Sequence, residues 1–310
     1  MSAFFSELST TGLLAARGAD AAAFLHAQLT SDVASLPRHR TQYSGYCSPK
    51  GRLLATFLLW RGDDEILLQL PAALCASIGA RLAKYVLRAQ VKIVDASTEH
   101  TVFGIAGPAA QSAVEALCAK VPTHAHDFVS SAGFRVARLP HGRFLVVAAA
   151  AQAEAARAAL GARAEARPES AWSRLDIDAG VPVITAPTQD QYVPQMVNLD
   201  LLEAVSYTKG CYPGQEIVAR THYLGRLKQR MYRLHLAAGT EPLPGDPLYS
   251  AAFGGGQASG ALLLTAPAEL SGYDALAVIQ TSAIASGPIT WNAPDGPAVE
   301  LMPLPYSIPV

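Results

Sequence analysis

Tyr207-Thr-Lys-Gly-Cys-Tyr-Pro-Gly-Gln-Glu-Ile-Val-Ala-Arg220 places one thiol between two glycines, with a lysine before it and a carboxylate after it. Gly210 and Gly214 permit backbone angles that a side chain forbids, and Tyr212-Pro213 is a turn dipeptide, so Cys211 is expected on a tight loop. Lys209 is expected to favour the thiolate, the form that acts as nucleophile or metal ligand, while Gln215 and Glu216 supply donors and acceptors nearby. The same residues also fit a turn cysteine that only packs, because free cysteine is among the most buried residue types. Chemistry alone leaves both readings open.

The surrounding chain narrows the class of protein. Its 310 residues exceed one typical core, and half of them are hydrophobic, which implies a globular protein of two or three domains. A net charge of −1 gives no global basic field, so no stable nucleic-acid binding is expected; the cations Arg220, Arg226, Lys228, Arg230 and Arg233 read as a solvated strand face. Cys47, Cys75, Cys118 and Cys211 show no close pairing, as expected of reduced thiols in a cytosol, and no disulfide is expected. Residues 1–7 carry neither a basic region nor a long apolar run, and no stretch reaches the ~20 apolar residues of a membrane span. A cytoplasmic protein without membrane partners is therefore expected. The Ala-rich stretch 146–164 is broken by Gln152, Glu154, Arg157 and Arg163, and reads as a strand and a surface helix stopped by Gly161.

Segments 13–29, 66–87, 102–117 and 144–160 share one rhythm: a short apolar run, turn residues, then a helix. Asp20 is a candidate cap, Pro71 and Pro108 suit first turns, and Leu74, Ile78, Leu82 and Tyr85 recur at helical spacing. Runs 53–60 and 91–94 read as strands, giving α+β layers. After Arg230 the texture changes to short Gly/Pro-punctuated runs at 232–236, 260–265, 275–281 and 299–302, the pattern of a small β-barrel or sandwich. Gly254-Gly-Gly256 reads as a hairpin connection, since neither a helix nor Lys-Ser/Thr follows it. His124-x-His126-Asp127 offers ligand types, but without further placed ligands it is assigned no metal. Pairing Cys211 with His222 or His235 as a hydrolase lacks an orienting third group.

The thiol segment resembles the signature Lys-Gly-Cys-Tyr-x-Gly-Gln-Glu of the YgfZ family, folate-binding proteins related to the aminomethyltransferase (T-protein) of glycine cleavage. All seven specified positions match, at Lys209, Gly210, Cys211, Tyr212, Gly214, Gln215 and Glu216. The blocks Gly18-Ala-Asp-Ala21 with Phe24-Leu25 and Gln28-Leu-Thr-x-Asp32, Cys47-x-Pro-Lys-Gly-Arg52, Trp172 with Asp178-Ala-Gly180, 193–199 and Leu304-Pro-Tyr-Ser307 follow in the family's order. The resemblance implies a T-protein-like ring of interlaced α+β domains, with residues 1–99 and 169–230 as a discontinuous folate-binding domain, 100–168 as an inserted domain and 231–310 as a C-terminal β-barrel.

It implies tetrahydrofolate or a derivative as cofactor. A folate site needs a flat apolar surface, a carboxylate for the amino-pyrimidine edge and cations for the glutamyl tail, and the candidates are Trp172, Asp178 and Arg220. On packing grounds Trp172 is equally a core aromatic and Asp178 a helix or turn cap. The T-protein's acidic pair aligns with Ala55 and Thr56, neither of which holds a proton as a carboxylate does, so aminomethyl transfer is expected to be absent. The implied role is an accessory protein for iron–sulfur cluster assembly or repair, with iron–sulfur enzymes, tRNA-modifying ones among them, as partners. Cys211 and Lys209 are its working residues. A tetrahydrofolate-dependent one-carbon transferase is the alternative, and a cysteine hydrolase a third reading.

Overall fold

The computed structural model describes residues 3–309 except 132, 226, 238, 254 and 255. The chain divides into two compact units, one of Met1–Gln28, Asp32–Tyr43 and Phe57–Trp172, the other of Leu29–Ser31, Ser44–Thr56 and Ser173–Val310. All four strand-then-helix segments form as the sequence implies.

In the first unit β1 (Ala3–Glu7) and β2 (Thr11–Arg17) precede α1 (Ala21–Gln28). Next come β3 (Arg40–Cys47), β4 (Leu53–Arg61), β5 (Glu65–Pro71), α2 (Ala72–Ala83) and β6 (Lys92–Asp95). β3 and β4 run from one unit's residues into the other's. All of these strands except β1 form a five-stranded sheet in the order β3-β4-β5-β2-β6, with β2 antiparallel to β5 and β6. α2 buries Leu74, Cys75, Ile78 and Leu82 at helical spacing, whereas Tyr85 lies past the helix end and is exposed. A Cβ at Gly12 of β2 would lie 2.3 Å from the Cys75 thiol, so close helix–sheet packing here requires glycine.

A second sheet follows from β7 (His100–Ala106), α3 (Ala110–Val114), β8 (Phe128–Ser131), β9 (Phe134–Leu139), β10 (Arg143–Ala149), α4 (Ala153–Gly161) and β11 (Ala164–Ala166). Its order is β11-β1-β7-β10-β9-β8. β1 pairs parallel with β11 and antiparallel with β7, so the segment 100–168 builds its sheet around a strand drawn from the N-terminus. α3 and α4 cover one face, placing Ala113, Val114, Ala156 and Leu160 against Phe103, Phe144 and Val146. α5 (Glu169–Asp178) begins in this unit, and its Trp172 is 4% exposed. A Cβ at Gly104 of β7 would lie 2.2 Å from the indole, and the Arg143 guanidinium stands 5.3 Å from the ring centre. Trp172 therefore has the core role.

In the second unit α6 (Gln215–Tyr223) precedes β12 (Gln229–Leu236), β13 (Pro247–Ser250), β14 (Ala258–Pro267), β15 (Tyr273–Gln280), α7 (Thr281–Ala285), β16 (Ile289–Trp291) and β17 (Ala298–Met302). The strands close as a barrel in the order β12-β15-β14-β13-β16-β17, which leaves no open edge. Leu234, Leu236, Leu248, Leu262, Ala277, Ile279 and Trp291 fill it. Gly254 and Gly255 lie outside the described residues; the segment containing them joins β13 to its antiparallel neighbour β14. Among the described residues no helix is long and apolar enough to cross a membrane.

His126 in the first unit is held at a left-handed φ of 70°. Its Nδ1 lies 3.0 Å from the Thr41 hydroxyl. Asp127 accepts from Arg40 at 2.6 Å, and no group of three His, Cys, Asp or Glu able to hold a metal occurs among the described residues. Burial, with Arg40 and Arg143 adding repulsion, lowers the His126 pKa to about 4. A base whose folded pKa lies below its unfolded value near 6.5 lets the unfolded chain bind more protons between the two. Its neutral form thus adds stability above about pH 6.5 that is lost as pH falls to 4, up to about 3 kcal/mol. His126→Asn should flatten the pH dependence of the urea midpoint between pH 6.5 and 4; an unchanged slope would assign it to other groups.

Candidate functional site

The Cys211 loop is fixed from two sides within the second unit. Gly214, at the N-terminus of α6, has φ +79°, and a Cβ there would lie 2.5 Å from the Ser48 carbonyl oxygen and 2.6 Å from the Gly51 Cα. Gly51 is itself left-handed at φ +70°, and a Cβ on it would lie 2.8 Å from the Ile217 Cβ. Two backbones thus touch where only glycine fits, which joins the Lys-Gly-Cys-Tyr block to the Cys47-x-Pro-Lys-Gly-Arg52 block. That second block is stitched down in turn. Ser48 Oγ donates to Asp190 at 2.7 Å, the Arg52 guanidinium donates to the Gln191 carbonyl, and Leu53 N donates to Tyr192 O at 2.7 Å.

Lys209 holds the other side. Its Nζ donates to the carbonyls of Leu29 at 2.6 Å and Ser31 at 3.1 Å, and stands 4.9 Å from the Tyr212 ring centre. The 29–31 segment is anchored by Thr30, whose hydroxyl donates to Ala204 O at 2.7 Å and accepts from Gly45 N at 2.8 Å. Sequence assigns Lys209 to the thiolate; in the structure it tethers the loop to the carbonyls of Leu29 and Ser31. Tyr212 is buried, and its hydroxyl has no partner among the described residues. Burial, the largest cause, and the neighbouring Cys47 push its phenol up.

The four thiols differ sharply in setting. Cys211 is exposed, whereas Cys47, Cys75 and Cys118 are buried. Desolvation raises all three buried thiols, most of all Cys47, where Asp190 adds to it. The loop therefore displays one sulfur, while burial disfavours the thiolate form of the other three.

Below the loop, Gln195 Nε2 donates to Val218 O at 2.7 Å and to the Tyr207 hydroxyl at 3.2 Å, which positions α6. Arg230 donates to Gln195 O at 2.8 Å and forks onto Asp200 at 2.8 and 3.1 Å. Burial, with Asp200 adding repulsion, raises the Tyr207 phenol to about 12. Gln215 opens α6 by donating its backbone N–H to Tyr212 O at 3.1 Å, and Glu216 and Arg220 lie exposed on the helix.

The remaining candidates occupy other surroundings. Asp178 lies in the second unit and Trp172 in the first. The Asp178 carboxylate is bracketed by Arg174 at 3.1 Å and Arg233 at 2.5 Å, which ties the end of α5 to β12. A pterin edge would compete with these two guanidinium groups for it, and the buried Trp172 ring does not fit as an open stacking surface. Gly180, at φ +64°, has no room for a Cβ beside the Tyr306 ring, and Tyr306 donates to Gly180 O at 2.7 Å. The closing Leu304-Pro-Tyr-Ser307 block therefore buttresses Asp178-Ala-Gly180. Ala55 is buried, and the Thr56 hydroxyl accepts from Ile184 N at 3.1 Å. Neither carries an ionisable group.

Comparison with known proteins identifies the fold and the family. The GCVT N-terminal domain matches residues 2–148. A solved structure of the glycine cleavage system aminomethyltransferase T from Bartonella henselae superposes with a TM-score of 0.79 at 17% identity, over 98% of this chain and 86% of that one. The fold is thus aminomethyltransferase-like, with a closed six-stranded C-terminal barrel. The tRNA-modifying protein YgfZ of Sodalis glossinidius is 30% identical over 303 residues, 97% of this chain and 92% of its own. The protein of that name from Serratia proteamaculans is 34% identical over 238 residues, 76% and 72% of the two chains. The chain belongs to the YgfZ family.

Gly214→Ala should cost on the order of 1–2 kcal/mol in backbone strain alone, and more through overlap with Ser48 O. Thermal melting should show that loss together with faster amide exchange over 48–52 and 210–216. A melting curve and exchange pattern matching the parent would remove the backbone contact as the loop's anchor.

Proposed function

We propose that this protein is a cytoplasmic, folate-binding accessory factor for iron–sulfur cluster assembly or repair, supporting iron–sulfur enzymes that include tRNA-modifying ones. The observation that carries the reading is the exposure of Cys211 on a loop tethered by Lys209 and Gly214, while the other three thiols are buried. A soft thiolate on such a loop suits transient handling of sulfur, iron or a partner thiol. The names of the relatives, tRNA-modifying protein YgfZ, support the client class. The GCVT match supports tetrahydrofolate or a derivative as cofactor. Asp178 and Arg220 are the proposed contacts for it.

The second reading, a tetrahydrofolate-dependent one-carbon transferase, is favoured by the fold alone. Ala55 and Thr56 supply no carboxylate for the T-protein's proton transfer, so the accessory reading is preferred.

A deletion strain complemented with the parent gene or with Cys211→Ala, and assayed for iron–sulfur enzyme activities and modified tRNA, tests the proposal. The parent should restore both readouts, and Cys211→Ala should restore neither while accumulating as folded protein. Full rescue by Cys211→Ala would overturn the thiol's role. Turnover of a lipoyl-bound aminomethyl group at the rate of a working T-protein would replace the accessory reading with the transferase.

A further inference from the structure

The helix that follows the cysteine loop presents apolar side chains to solvent. Ile217, Tyr223 and Leu224 are 39%, 65% and 84% exposed, while Val218 on the opposite side of α6 is buried. Ile217 lies in the first turn of α6 and Leu224 caps its end, seven residues on. Tyr223 is preset: Tyr207 and His222 stack at 3.8 Å and 14°, and the Tyr223 ring meets both edge-on at 6.1 and 4.7 Å. A rigid aromatic beside two exposed aliphatics is the composition of an interface hot spot.

The charges around this face are mostly positive. Lys50, Arg52, Arg220 and Lys228 are exposed and form no ion pair with any described residue, and Glu216 is the exposed acid of the helix. Lys50 precedes Gly51, which abuts Ile217. Four cations against two carboxylates, Glu216 and the exposed Asp190 bonded to Ser48, in a chain of net charge −1, leave this face locally positive.

We infer that the exposed face of α6 docks an acidic-rimmed apolar hollow on a partner protein and so brings that partner to Cys211. The inference rests on the accessory reading and adds to it the surface and the chemistry of the partner. Aliphatic Ile217 and Leu224 carry neither a hydrogen-bonding group for phosphates and base edges nor a ring on which a base stacks, which favours a polypeptide over RNA. Two copies meeting through this same face would set like charges opposite one another, which disfavours self-association.

The test places p-benzoylphenylalanine at position 224, or as a control at position 270 of the barrel unit, where Leu270 is 97% exposed, in full-length protein expressed in the deletion strain. Irradiation should give a ribonuclease-resistant polypeptide adduct at 224 and not at 270, and Lys50→Glu with Lys228→Glu should reduce it at least tenfold. In the same strain Leu224→Glu should fail to restore iron–sulfur enzyme activities while its Cys211 alkylates at the parent rate. An adduct removed by ribonuclease, a covalent dimer of this chain, no adduct above the control, or indifference to the charge reversals overturns the inference. Full rescue by Leu224→Glu does so as well. If Cys211→Ala rescues and Leu224→Glu does not, the thiol reading fails and the docking face stands.

Discussion

The backbone of Gly214 lies against Ser48 and Gly51 more closely than any side chain allows, and the second unit's chemistry is organised by that contact. It brings two loops more than 150 residues apart in sequence into direct apposition and starts α6 at a fixed point. Cys211, three residues before, is consequently held out on a short arm. The other end of the arm is fixed by Lys209, which donates to carbonyls from near the start of the chain. A loop clamped at both ends exposes its sulfur without the freedom to fold it inward.

The surrounding polar groups serve this placement. Gln195 links Tyr207 to the α6 backbone, and Arg230 with Asp200 fixes the strand that follows. Asp178, bracketed by two arginines, joins α5 to the first barrel strand, and Tyr306 closes over Gly180. Several residues with the look of ligand or catalytic groups thus also brace the fold. Ala55 and Thr56 carry no ionisable group, and Thr56 serves as an acceptor for the Ile184 backbone.

Much of this was legible in the sequence, because local signals carry it. The four strand-then-helix segments, the strands within 53–60 and 91–94, and four of the barrel strands follow from apolar periodicity and turn residues. β13 and β16 did not register because they are only four and three residues long and lie among prolines and glycines. β1 joins a sheet whose other strands lie a hundred residues later, a pairing no local pattern records. The tether from Lys209 to Leu29 and Ser31 is equally non-local. Trp172 was ambiguous because its partner is the absence of a side chain at Gly104, which reads in sequence only as a glycine within a strand.

The central claim is that the fold displays one thiol and withholds three. Alkylation of the native protein near neutral pH, followed by peptide mass spectrometry, measures this directly. Cys211 should be modified at least tenfold faster than Cys47, Cys75 or Cys118, whose burial disfavours the reactive thiolate, and urea should abolish the difference. Modification of Cys75 or Cys118 as fast as Cys211 in the folded protein would contradict the account.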